Sequence, residues 1–262
     1  MKFTEYFLED NNFKFMDEVR DGEYPWSVVG RIREIIENFT RGKDDSGVKT
    51  LEEHCHIEPY SLVVQKTFVT REDKYLSSHK IFVARGTILE SGAIVKGPCY
   101  IGSNTEIRQG AYIRGNVIIG EECVVGHVTE VKNSIFMDHA FAGHFAYVGD
   151  SILGNKVNIG AGTKLANLQF RTKQEIDTET VSDLIIPSGD GPVKTGMQKL
   201  GAIVGDYCEI GCNSVTIPGA IIGAHTWIYP NTNVTKGFYE KGSVLKSKGY
   251  DLDRIRKRRP PY

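Results

Sequence analysis

A chain of 262 residues with 40% hydrophobic content has enough apolar material for one large domain or two modest ones. Its 32 Lys and Arg nearly cancel its 33 Asp and Glu, so no global charge marks it as a binder of nucleic acid; only the tail "DRIRKRRPPY" is locally basic and reads as a solvated tail. No basic stretch followed by an apolar run opens the chain and no run of 18 apolar residues occurs, which predicts a soluble, cytoplasmic protein without a membrane span.

Residues 1–80 form a helical and extended N-terminal segment. In "YPWSVVGRIREIIENFTRG", Pro25 stands near a helix start, Val28, Ile32, Ile35 and Ile36 follow at helical spacing, and Gly42 lies past the end. "SLVVQKTFVT" then reads as extended chain. Cys55 in "HCH" has no second ligand cluster at a suitable spacing and is not assigned to a metal. The five cysteines are odd in number and form no CxxC, which suits a reducing compartment better than a disulfide framework.

From Val83 an aliphatic residue recurs every six positions: Leu89, Val95, Ile101, Ile107, Ile113, Ile119, Val125, Val131 and Met137. Four positions after each start comes a residue that is usually small: Thr87, Ala93, Cys99, Thr105, Ala111, Val117, Cys123 and Thr129, then the larger Ile135 and Phe141. This hexapeptide repeat predicts a mainly β fold, a left-handed parallel β-helix over 81–240, with three hexads per triangular coil. Cys99, Cys123 and Cys208 fall at inward small positions, where a thiol acts as a small hydrophobe.

The count fails after Met137. The next starts are Val148, Leu153, Ile159 and Leu165, which predicts one side shortened near Gly149–Ile152 and another lost or bulged near Gly143 and His144. Gly143 would then supply the freedom to re-aim His144. Residues 167–200 lack the period and read as an extruded loop or hairpin. The repeat resumes at Val204, Ile210, the off-pattern Thr216, Ile222, Ile228 and Val234, and 241–262 form a basic tail in which "YDLDRIRKRRPPY" suggests a helical turn.

Residues 18 apart stack on successive rungs, so Lys96, Arg114 and Lys132 form an outward column of cations that calls for a phosphate or similar anion, or else for ordinary solvation. Downstream stand Glu130, His144, Tyr147, Asn158 and Asn167. A histidine with a carboxylate partner is equipped for general-base work; Tyr147, Asn158 and Asn167 would equally suit core or turn positions.

The segment "GHVTEVKNSIFMDHAFAGHFAYVGDSILGNKVNIGAGTKLAN" resembles the acetyltransferase domain of the bifunctional uridyltransferase/glucosamine-1-phosphate acetyltransferase family. "PVKTGMQKLGAIVGDYCEIGCNSVTIPGAIIGAHTWI" is similar to the C-terminal half of sugar-1-phosphate nucleotidylyltransferases with the same coil. Together these cover about residues 80–240. The resemblance implies that His144 is the base for the sugar amine and Glu130 the carboxylate that orients it. Arg114 and Lys132 would hold the sugar phosphate, and Tyr147, Asn158 and Asn167 would contact substrate. Acetyl-CoA would lie along the later rungs near Ala161, Cys212 and Pro230, in a homotrimer whose sites fall between coils.

Leu168 stands where that family has an aromatic residue, Cys212 replaces a serine-like position, and the 167–200 loop is longer. Residues 1–80 carry no Gly-rich "GxGTR"-type loop, so the chain is not expected to make a sugar nucleotide by itself. The resulting expectation is an acetyl-CoA-dependent N-acetyltransferase of a hexosamine 1-phosphate, serving nucleotide-sugar and cell-envelope precursor synthesis. The alternatives are a non-catalytic coil that assembles or regulates a separate nucleotidylyltransferase, and a γ-type carbonic anhydrase using His139 and His144, for which a third histidine is missing near Ser103–Arg108.

Overall fold

From Ile81 to Leu245 the chain of the computed structural model runs as strands of two to four residues joined by tight corners. Outside residues 167–200 these strands pair in parallel from coil to coil: Cys99 opposes Val117, eighteen residues on, and Val117 opposes Ser134, seventeen on. The structure describes residues 3–8, 12–189 and 191–247; the tail at Arg256–Arg259 and its expected helical turn lie outside them. Among the described residues three nine-stranded sheets form the sides of a left-handed parallel β-helix. Its interior is one apolar column per side, and Val83, Leu89, Val95, Ile101, Ile107, Ile113, Ile119, Val125 and Val131 are all wholly buried. Thr87, Thr105 and Thr129 fill small inward positions because each hydroxyl donates to a backbone carbonyl of the next rung (Gly102, Gly120 and Ala142).

The register corrects the sequence count in one place. Phe136, five residues after Val131, takes the inward position, and Ala142, Val148 and Leu153 follow it. Met137 instead packs outside the coil, as does Ile135, and Phe141 is exposed. The short sides are therefore Val131–Phe136 and Val148–Leu153. The side holding Gly143 and His144 keeps its full six residues, with neither loss nor bulge.

One side, here the covered face, is apolar both inward and outward. Its outer residues Phe82, Tyr100, Ile118, Ile135, Ile152, Ile203 and Ile221 are buried beneath the N-terminal segment. That segment contributes Phe15, Trp26, Val29, Ile32 and Ile36 to the seam. Helices α1 (Met16–Arg20) and α2 (Ile32–Thr40) belong to it, and α2 turns Ile32, Ile35 and Ile36 to the coil. The helix starts later than Pro25 suggests, because Ser27–Arg31 winds as a tighter 3-10 turn. After α3 (Val48–His54), strands Ser61–Val64, Phe68–Val69 and Lys74–Leu76 lie antiparallel on the first coil and close its open edge.

Residues 167–200 leave the coil as expected. They hold a short helix, α4 (Lys173–Asp177), and a hairpin of Ile185–Ile186 with Val193–Lys194. Leu184, Ile186 and Leu200 return to the covered face.

Candidate active site

The two uncovered sides meet at one corner. The basic face carries Lys96, Arg114 and Lys132 in a column set by strand register, as expected from the 18-residue coil. The groove face carries His127 opposite His144 on adjacent strands, Val124–His127 and Phe141–His144. Farther along, Asn158 opposes Glu209, which opposes Trp227. Counting out to the corner, Ala161, Cys212 and Pro230 follow His144 in a single column. Backbone bonds from Gly162 to His144 (3.1 Å), Asn213 to Ala161 (2.8 Å) and Asn231 to Cys212 (2.8 Å) tie its rungs together. At about 4.8 Å per rung, Cys212 sits roughly 10 Å along the column from His144.

This corner needs a left-handed residue on each coil. Gly92, Gly110, Gly162, Asn213 and Asn231 supply it cheaply, but the residues after His127 and His144 are Val128 (φ 48°) and Phe145 (φ 52°). A β-branched or bulky side chain at positive φ is costly, about 1–3 kcal/mol each, and such strain gathers at working sites. It is therefore Phe145, and not Gly143, whose backbone departs from the ordinary region next to His144. Gly143 stands opposite Gly126 between the pairs Val125–Ala142 and His127–His144, and Gly126 has no room for a side chain because the Gly143 backbone lies against it. The His144 imidazole is exposed and makes no hydrogen bond or ion pair among the described residues.

On the basic face the cations are already spaced by partners. Arg114 meets Glu130 at 2.7 Å, Lys132 reaches Asp150 at 3.4 Å, and Lys96 stands over the Tyr112 ring at 5.4 Å. The bond to Glu130 raises the Arg114 guanidinium further above its usual value. Glu130 thus engages Arg114, and no hydrogen bond joins it to His144. Tyr147 donates to Asn167 at 3.4 Å, and its phenol is raised by burial first, then by Asp150 and Glu130. Asn167 in turn donates to Asp150. Asp150, absent from the sequence-based candidates, is only 4% exposed and also accepts from Asn133 at 2.8 Å. Its signal in the sequence was a carboxylate at a corner where the preceding rungs carry Asn116 and Asn133.

Asn158 lies apart from that cluster. It is on the groove face, donating to Glu209 at 2.9 Å. There a cavity of about 380 Å³ is lined by Asn158, Ile210, Cys212, Trp227, Tyr229 and Pro230. Its walls are largely apolar and aromatic, suited to a thin, flexible chain with a polar end. The structure thus joins Arg114, Glu130, Lys132, Tyr147 and Asn167 on one face and Asn158, Cys212 and Pro230 on the other, with His144 and Ala161 at the corner between. His139 sits at the opposite corner of the groove face, 3.3 Å from Glu122, so it does not converge with His144. Among the described residues no three His, Cys, Asp or Glu side chains are arranged to hold a metal ion. No helix among them is long and apolar enough to cross a membrane.

Residues 95–238, more than half of the chain, match the family described as the GMPPB C-terminal domain. A "Bifunctional sugar-1-phosphate nucleotidylyltransferase/acetyltransferase" of Sulfurisphaera tokodaii is 34% identical over 176 residues, 67% of this chain and 42% of that protein. "Bifunctional protein GlmU" of Prochlorococcus marinus is 29% identical over 73% of this chain and 33% of its own length. The protein of that name from Methanococcus maripaludis is 33% identical over 52% of this chain and 31% of its own. The chain thus spans less than half the length of these relatives.

Proposed function

The chain belongs to the GMPPB C-terminal domain family, and from that premise we propose that it is an acetyl-CoA-dependent N-acetyltransferase of a hexosamine 1-phosphate. The observation that carries the reading is the corner column of His144, Ala161, Cys212 and Pro230, which has an apolar groove on one side and the Arg114–Lys132 cations on the other. The names of the relatives, a bifunctional sugar-1-phosphate nucleotidylyltransferase/acetyltransferase among them, support the same class.

In this reading the pantetheine arm of acetyl-CoA lies in the groove and brings its thioester toward the corner. Arg114 and Lys132 receive the sugar phosphate by charge-assisted hydrogen bonds. The substrate amine attacks the thioester carbonyl only when neutral, and His144 takes the proton it sheds as the carbon–nitrogen bond forms. Backbone N–H groups at the corner stabilise the tetrahedral oxyanion. Collapse breaks the carbon–sulfur bond, and the imidazolium returns its proton to the departing thiolate. Tyr147 and Asn167 orient the sugar from the basic face and Asn158 from the groove. The imidazole has no carboxylate partner of its own, so a neighbouring coil of a homotrimer completes the site. We place the enzyme in the cytoplasm, where acetyl-CoA is available.

One observation favours a second reading, a non-catalytic coil that assembles a nucleotidylyltransferase: Glu130 is committed to Arg114 and leaves His144 without an acid. Thiol release from acetyl-CoA with a panel of hexosamine 1-phosphates separates the two. Release with one of them supports the enzyme; none, together with no binding of acetyl-CoA, leaves the assembly role.

A further inference from the structure

We infer that Asp150 is a positioning residue that couples the extruded segment to the basic face, fixing Lys132 and Asn167 in the arrangement that receives the sugar phosphate. The inference rests on the function proposed above.

Asp150 follows Asn116 and Asn133 in one corner column, at φ 48° where those residues have 51° and 45°. An asparagine therefore meets the backbone demand of this corner, and the carboxylate adds only charge. That charge is nearly buried, and a buried carboxylate must be paired. Its partners come from the rungs on either side: Asn133 Nδ2 at 2.8 Å and Lys132 Nζ at 3.4 Å from the one before, and the Asn167 amide from the one after.

Asp150 touches both ends of the excursion, the exit through its carboxylate on Asn167 and the re-entry through its main chain. Its N–H donates to Lys132 O at 2.9 Å, and its carbonyl accepts from Gly201 N–H, where the chain re-enters the coil, at 2.8 Å. At the exit, Asn167 O accepts from Leu200 N–H at 3.1 Å while its side chain accepts from Tyr147. One carboxylate thus joins a phosphate-binding ammonium to the residue at which the loop departs. A loop that shifts Asn167 changes what Asp150 offers to Lys132.

The test is a double-mutant cycle on purified full-length protein with glucosamine 1-phosphate as the varied substrate. Asp150→Asn keeps the corner residue type but sets an amide N–H2 against one of the donors, Asn133 or Asn167, so the thermal midpoint should fall by several degrees while the coil stays folded. KM should rise about tenfold, the factor for one charge-assisted bond, with kcat within about twofold. In a Lys132→Gln background the same change should add nothing to KM, because the two act as a unit. Asn167→Ala reports the link from the other side and should show the same dependence on Lys132; it remains usable if Asp150→Asn fails to fold. Independent, multiplicative effects on KM, or a fall in kcat alone, would overturn the inference while leaving the proposed function standing. A wild-type protein that acetylates none of the sugar phosphates overturns the proposed function, and this inference with it.

Discussion

The Arg114 guanidinium closes on the Glu130 carboxylate at 2.7 Å across adjacent rungs of the basic face, and both side chains remain more than a third exposed. An exposed pair of this kind adds little stability, about 0–1 kcal/mol. Glu130→Gln should therefore leave the unfolding midpoint nearly unchanged and act on substrate instead. The exposed Glu130 carboxylate competes with the sugar phosphate for Arg114, unlike the buried Asp150 that positions Lys132, so with Glu130 neutral KM for the sugar phosphate should fall a few-fold at low salt. The gain should shrink as ionic strength rises past about 0.15 M. Steady-state kinetics at two salt concentrations reads this; a loss of kcat without change in KM would instead return Glu130 to orienting His144.

His144→Ala should lower kcat by about 10²–10⁴, the usual worth of a general base. Stability should stay within about 0.5 kcal/mol, since the exposed imidazole makes no bond that its removal would break. Chemical denaturation beside a thiol-release assay separates the effects. Near-normal turnover in a folded variant would remove His144 from the mechanism.

The coil was legible because its inward positions demand aliphatic residues and the demand recurs with the rung. The short side at Val131–Phe136 was not, because Met137 supplies an aliphatic at the six-residue position while serving the opposite surface. Phe82, Tyr100, Ile118 and Ile135 are spaced by 18, 18 and 17 residues, so the covered face was also written in the sequence, as an outward column beside the inward one. At the site, the basic column followed from period alone, whereas Ala161, Cys212 and Pro230 came only with the family resemblance, because the six-residue count fails beside His144. Asp150 escaped notice because its role depends on which rung its carboxylate faces, and that depends on the two short sides.

Ile135 tests the covered face. Its side chain is wholly buried between the coil and the N-terminal segment. Ile135→Ala should cost about 2–5 kcal/mol by lost burial plus the cavity left behind. The basic and groove faces lie on the other two sides, so kcat at 25 °C should change by less than about twofold, while the midpoint of denaturation falls. Equal losses of activity and stability would show that the N-terminal segment supports the site directly.

Thiol chemistry reports on the groove. Cys55, Cys99, Cys123 and Cys208 are buried, and burial pushes the Cys55 and Cys208 thiols up to about 12 and the other two higher still. Cys212 is exposed and lines the apolar groove. A disulfide reagent at pH 8 should therefore titrate one thiol in the native protein and five in denaturant. Acetyl-CoA should slow the native reaction by the factor 1 + [L]/Kd if it occupies the groove. Rapid reaction that saturating acetyl-CoA leaves unchanged would place the cofactor elsewhere.

The loop beyond Asn167 has its own pH dependence. Thr172 caps α4, its hydroxyl accepting from Glu175 N–H at 3.2 Å, while the Glu175 carboxylate accepts from Thr172 N–H at 2.7 Å and Ser182 N–H at 2.8 Å. Hydrogen bonds from Ser182 and Thr172 hold Glu175 down at about 2. That lies below the unfolded carboxylate value of about 4.3. Folding of this segment therefore favours the charged form; its contribution is complete above about pH 4.3 and is lost as pH falls through about 2. Amide exchange at Lys173–Asp177, corrected for intrinsic rates, should keep constant protection from pH 7 to about 5 and lose it between about 4 and 2. Glu175→Gln should abolish that step and leave the coil amides as protected as before. A protection profile that already falls between pH 7 and 5 would mean that other groups, and not this capping box, order the segment beside Asn167.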